Sequence, residues 1–101
     1  MKRGDVYQRP PRGRLYVVVS ADALIRTGTV VVAEVVESAP ERRGMIAVPL
    51  SDARGDAVPG AVRADLLGYV NVDRMGEFAG RLDDTTMELV DMALRAVLDL
   101  D

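Results

Sequence analysis

The chain has 101 residues, 49% of them hydrophobic and 29% charged, carries a formal net charge of −3, and contains neither cysteine nor histidine. That length suits one domain around one core. The missing residue types exclude disulfides, thiolate or imidazole catalysis, and metal sites built on those ligands. Any chemistry must run on carboxylates, hydroxyls, arginine or lysine, and a metal would need an all-oxygen shell.

Lys2 and Arg3 open the chain, but no continuous apolar segment follows them, so no signal peptide is expected. The valine runs are strand-length, well short of the ~20 residues a membrane helix needs, which points to a cytoplasmic protein. Val6-Tyr7, between Asp5 and Gln8, predicts a short first strand. Pro10-Pro11-Arg12-Gly13 breaks it, because proline lacks an amide donor and glycine tolerates positive φ. Leu15 to Ser20 is nearly all apolar and reads as a central strand buried on both faces. A loop over 21–28 leads to a valine-rich strand, Thr29 to Val36, in which Glu34 faces solvent or a subunit interface.

Ser38 to Gly44 is a polar turn. Its Glu41, Arg42 and Arg43 are either a solvated loop or phosphate contacts. Met45 to Leu50 is the next strand, and a flexible loop over 51–60 carries Pro59 near its end. Ala61 to Leu66 alternates, with Val62, Ala64 and Leu66 on the inner side and Ala61, Arg63 and Asp65 on the outer. Tyr69 to Val72 and Phe78 to Leu82 are shorter candidate strands, separated by a turn at 73–76. The period then changes: Met87, Val90, Leu94 and Val97 form one helical stripe, widened by Leu89, Ala93 and Ala96. Asp83 is the expected N-cap, and Met87 and Met92 suit core or interface packing. A mainly β domain over 1–101, a small bent sheet or barrel with one C-terminal helix, follows from this order.

Charge is unevenly spread. Residues 1–14 hold five cations against Asp5, a net +4, whereas residues 83–101 hold six acids against Arg95, a net −5. A cationic surface of this kind suits a phosphate-bearing ligand or an acidic partner. Arg14 stands just after Gly13 at the mouth of an apolar strand. Its planar fork matches phosphate oxygens, and on spacing alone a structural salt bridge is the equal alternative. Arg-Gly-Asp occurs at 3–5 and again at 54–56, a coincidence too short to carry a function.

Taken together, KRGDVY, GRLYVVVS, VVVAEVVES, GAVRADLL, VNVDRM and the closing GRLDDTTMELVDMALRAVLDL resemble, in order and across almost the whole chain, the MazF/PemK family of toxin endoribonucleases. The resemblance implies an SH3-like small β-barrel of the CcdB/PemK type that forms a homodimer. It also implies cleavage of single-stranded RNA without metal or other cofactor, and silencing by a cognate antitoxin. Arg14 takes the position of the family's phosphate-stabilising arginine. The family's strand-end threonine is replaced by Val36, so Ser38 is the candidate assisting hydroxyl. Arg9, Arg12, Arg42, Arg63 and Asp65 are the candidate RNA-binding residues. Leu15 replaces a usual proline, Asp65-Leu66-Leu67-Gly68 replaces an aspartate-glutamine-isoleucine-arginine motif, and the first loop lacks a glutamate-glutamine-glycine element.

Two other readings follow from the same residues. A non-catalytic relative that only binds antitoxin or nucleic acid is one, because the motif residues are partly lost. A CcdB-like gyrase poison is the other and ranks lower, since CcdB uses a C-terminal tryptophan-glycine-isoleucine end and this chain ends Leu98-Asp99-Leu100-Asp101.

Overall fold

A computed structural model describes residues 1–9, 13–37 and 46–98. The first strand, β1 (Asp5–Arg9), forms an antiparallel hairpin with β2 (Arg14–Val18), in register Val6↔Val17, Tyr7↔Tyr16 and Arg9↔Arg14. Gly13 closes it at φ +68° and donates its N–H to the Arg9 carbonyl at 3.0 Å, the positive-φ turn chemistry that a residue with a Cβ resists. Residues 10–12, Arg12 among them, lie outside the described residues. The chain continues through one helical turn, α1 (Asp22–Ile25), where a plain loop was expected. It then runs into β3 (Thr29–Val36), β4 (Ala47–Pro49), the long β5 (Ala61–Asn71), β6 (Glu77–Arg81) and the helix α2 (Asp84–Val97).

The six strands form one antiparallel sheet in the order β4-β5-β3-β2-β1-β6, mainly β with a C-terminal helix as expected. The sheet is not closed into a ring: β4 and β6 lie at its two ends. Alternation along the strands divides the valines between two faces. Val17, Ala33, Val35, Val62 and Ala64 pack with Met87, Val90 and Ala93 of α2. Val18, Val30 and Val32 pack with Met75, and Tyr7, Tyr16 and Ile25 cover them. The segment from Val17 to Ser20 is therefore buried on both faces, as its unbroken apolar run predicts. Each such valine removes its side chain from water for about 1.5–3 kcal/mol.

The expected strands over 61–66 and 69–72 are one strand with a bulge. Ala33 pairs with Leu67 but the next residue, Glu34, pairs with Arg63, leaving Ala64, Asp65 and Leu66 in the offset. The phase of β5 slips there, so Leu66 is 39% exposed instead of buried. On α2, Asp83 caps the N-terminus by accepting the Thr85 N–H at 2.9 Å. The buried stripe is Thr86, Met87, Val90 and Ala93. Leu89 and Ala96, expected to widen it, are exposed, and so is Met92 at 65%. Among the described residues no helix is long and apolar enough to cross a membrane.

The N-terminal cations do not all face one way. Arg3 turns onto α2, pairing with Asp91 and donating to the Met87 carbonyl, and Arg81 of β6 pairs with Asp5. These contacts fasten the start of the chain to the helix and to the outer strand. Arg9, in contrast, lies over the Tyr16 ring, and Arg14 lies beside Glu34 of β3.

Candidate active site

Strand register lines up a row of polar and aromatic side chains across one face of the sheet. Tyr7 pairs with Tyr16, Tyr16 with Glu34, and Glu34 with Arg63, on four adjacent strands. Two rungs further out, on the same face, lies the Arg9↔Arg14 pair. Because each side chain stands on a paired strand, its Cα is fixed by ladder hydrogen bonds and only its own rotamers are free.

Arg14 is half-exposed, at 53% of its side-chain surface, and its Nη1 lies 3.9 Å from Oε1 of Glu34, which is 22% exposed. An ion pair this long and this wet is worth at most about 1 kcal/mol, so the guanidinium can exchange the carboxylate for a phosphate at little cost. Arg14 and Glu34 line a hollow of about 360 Å³ with Val36, Glu37 and Pro59. Glu34 also borders a second hollow of about 270 Å³, shared with Arg9, Tyr16, Leu66 and Gly68. In that second hollow Arg9 sits 5.4 Å over the Tyr16 ring and donates Nε to the Arg74 carbonyl at 3.1 Å, which holds its charge above the sheet face.

Arg63 and Asp65 are brought together. They form a forked pair, with Nε donating to Oδ1 at 2.7 Å and Nη2 to Oδ2. The hydrogen bond to Asp65 raises the Arg63 pKa against the opposing effect of desolvation, and the charges of Asp65 and Glu34 add to the rise. The same bond from Arg63 holds Asp65 below the usual aspartate value. Asp65 is therefore an ionised partner of Arg63 and a poor proton acceptor. Tyr7, packed edge-on against Phe78 at 5.7 Å, has its phenol pushed up by burial and by the Asp5 charge.

The wall of the larger hollow is set by the segment between β4 and β5. Gly60 has φ +109°, and a Cβ there would lie 2.0 Å from the Val36 carbonyl oxygen, so only glycine lets the strands meet at this point. Upstream, Asp56 is buried and gathers the segment. Its carboxylate accepts the Ser51 N–H at 2.9 Å, the Asp83 N–H at 2.8 Å and the Thr86 hydroxyl at 2.9 Å, with Arg54 at 3.5 Å. Burial pushes the Asp56 pKa up, but these donors and the Arg54 charge outweigh it and hold it below the ordinary value. Pro59 is thus held against the Arg14 hollow by a clamp that reaches to the start of α2.

Of the residues expected from sequence, Arg9, Arg14, Arg63 and Asp65 share this face, while Arg12, Ser38 and Arg42 lie outside the described residues. Val36 is where the resemblance puts the strand-end position, on the wall beside Arg14. Sequence reasoning gave no part in the site to Tyr16, Glu37 or, above all, Glu34, which it set toward solvent or a subunit interface and which lies 22% exposed beside Arg14. The signal for Glu34 was present: it is the single charged residue in an eight-residue apolar strand.

The family described as PemK-like, MazF-like toxin of type II toxin-antitoxin system matches residues 2–98. No curated protein matches the sequence. Among solved structures, an endoribonuclease from Mycobacterial species is similar with TM-score 0.88 and 26% identity, over 99% of this chain and 92% of that one. An endoribonuclease in complex with its cognate antitoxin, also from Mycobacterial species, gives TM-score 0.88 and 26% identity, over 100% and 97%. A MazE–MazF crystal structure from Deinococcus radiodurans shares the fold, with TM-score 0.82 at 21% identity over 100% and 97%. With its match over residues 2–98 and this fold beneath it, the chain belongs to the PemK-like, MazF-like toxin family of type II toxin-antitoxin systems.

Proposed function

We propose that the chain, as a single toxin domain, is a metal-independent, sequence-specific endoribonuclease that cuts single-stranded RNA in the cytoplasm as a homodimer and is silenced by a cognate antitoxin. The observation that carries this reading is Arg14: an exposed guanidinium on a rigid strand mouth, loosely paired with a carboxylate and opening on a hollow large enough for a nucleotide phosphate. The Mycobacterial relatives named as endoribonucleases, one of them bound to its antitoxin, support it.

In the proposed reaction the ribose 2′-oxygen attacks the adjacent phosphorus and the 5′-oxygen departs, leaving a 2′,3′-cyclic phosphate. Charge builds on the non-bridging oxygens, where the Arg14 fork supplies two donors and Ser38 assists. Arg9, stacked on Tyr16, and Arg63 extend the positive surface along the sheet, with Asp65 orienting Arg63, and Arg12 and Arg42 are the further cations proposed to bind RNA. A disordered acidic antitoxin segment folding over this basic face would compete with RNA for the same cations.

Inducing the protein alone and mapping RNA 5′ ends tests the reading. New ends clustered at one short sequence are expected. An unchanged end map gives the result to the binding-only alternative, which Val36, a residue without a hydroxyl on the site wall, favours.

A further inference from the structure

Transesterification of RNA needs a proton acceptor for the 2′-hydroxyl, and a chain without histidine must find one elsewhere. We infer that Glu34 is that general base: a carboxylate fixed on β3, 3.9 Å from the Arg14 guanidinium and bordering both hollows. The inference rests on the endoribonuclease reading above and assigns a role that the reading itself leaves empty.

Four observations single Glu34 out from the other carboxylates on this face. Asp65 has each oxygen engaged by the Arg63 fork, which lowers its proton affinity and ties its carboxylate to that cation. Glu37 lies past the end of β3, exposed and without the ladder bonds that fix a strand residue. Glu34 alone is fixed by pairs on both sides, to Tyr16 and to Arg63. It also interrupts a run of valines at the one place where β5 bulges away, which opens the face in front of it. Its charged surroundings come from three strands: Arg14 and Tyr16 of β2, Arg9 of β1, and Arg63 and Asp65 of β5. Arg14 stands 3.9 Å from this carboxylate, Arg9 shares its hollow and Arg63 pairs with it across the strands, so cations able to hold an RNA phosphodiester stand beside the carboxylate.

The step balances without a co-reactant beyond water. The 2′-hydroxyl proton passes to the Glu34 carboxylate as the O2′–P bond forms, and the P–O5′ bond breaks with its electron pair going to O5′. The 5′-oxygen takes a proton from solvent, and Glu34 returns its own to solvent before the next turnover. Arg14, released from Glu34 as that carboxylate becomes neutral, is then free to serve the phosphoryl oxygens with its full charge. Proton transfer to the base and charge stabilisation at phosphorus are in this way coupled through one ion pair.

Single-turnover cleavage of a short RNA, followed against pH, tests the assignment in wild type, Glu34→Gln, Glu34→Asp, Glu37→Gln and, as a surface control on α2, Glu88→Gln. Glu34→Gln should cut about 10²-fold or more slowly and lose the acidic limb of the rate profile, as loss of a general base requires. Glu34→Asp should keep the limb and recover part of the rate. Both variants should bind the substrate's 2′-deoxy analogue at least as tightly as wild type, which separates chemistry from positioning and confirms a folded site. A Glu34→Gln enzyme that cuts at the control rate, or slows but keeps the wild-type limb, overturns the role of Glu34 and leaves the endoribonuclease reading standing. So does loss of the limb in Glu37→Gln alone. A wild type that cuts no RNA overturns the reading and Glu34's role together.

Discussion

Replacing Asp56 by alanine removes the acceptor that three close donors and, at 3.5 Å, Arg54 share. Its carboxylate is buried and takes the Ser51 and Asp83 N–H groups and the Thr86 hydroxyl at 2.8–2.9 Å. A hydrogen bond to a charged group contributes about 1.5–3 kcal/mol, and truncation strands the buried donors as well. The Thr86 hydroxyl keeps one partner, since Arg54 Nε donates to it at 3.0 Å, so the losses do not simply add. A net cost of about 3–4 kcal/mol is expected, which in a domain of this size lowers Tm by roughly 12–25 °C. The pKa of Asp56 is lowered in the folded protein, so its contribution is fully present above the ordinary aspartate value of 3.8 and is lost as pH falls below it. Denaturant titrations of wild type and Asp56→Ala at one protein concentration, at pH 7 and stepwise into acid, measure both quantities. The gap should be largest at neutral pH and narrow toward acid. A cost under ~0.5 kcal/mol at pH 7, or a gap that does not change with pH, refutes the clamp.

Gly60→Ala should cost more than a surface substitution, because its Cβ would stand 2.0 Å from the Val36 carbonyl at φ +109°. A folded variant with a melting temperature equal to wild type would show that β3 and the 51–60 segment do not meet as described. Light scattering should find a particle of twice the 10.9 kDa chain mass at micromolar concentration, since a homodimer covers exposed edge and apolar side chains such as Met92. A species of single-chain mass alone contradicts it. Cleavage should persist unchanged in excess chelator, as chemistry on arginine and carboxylate requires, and loss of activity restored by a divalent cation would overturn the metal-independent mechanism.

The strands and the closing helix were legible because their signals are local. An unbroken apolar run in 15–20 and a stripe at helical spacing in 87–97 report burial directly, whereas the alternation read over 61–66 holds only across Val62, Arg63 and Ala64, since Ala61 is buried and Leu66 exposed. The Asp83 cap is equally local, one side chain to an amide two residues on. What sequence could not show depends on register. The bulge that turns Leu66 outward is set by how β5 pairs with β3 across about 30 positions of chain, and nothing within 61–66 encodes it. The same is true of the site. Arg14 was visible as a cation at a strand mouth, but its neighbour Glu34 lies twenty positions away and meets it only because Tyr16 pairs with Glu34. Arg3, counted with the basic N-terminus, belongs to the helix instead, through a contact with Asp91 that spans 88 positions.

The central claim is that Arg14 carries the chemistry. Single-turnover cleavage of one RNA by wild type, Arg14→Ala, Arg14→Lys and Arg95→Ala, an exposed helix position, tests it most directly. Removing one donor of this kind typically costs ~10²–10³ in rate, so Arg14→Ala should lose most cleavage while its melting temperature and dimer mass hold. Arg14→Lys should recover only part, because an ammonium cannot make the forked contact. Arg14→Ala cutting as fast as Arg95→Ala contradicts the account.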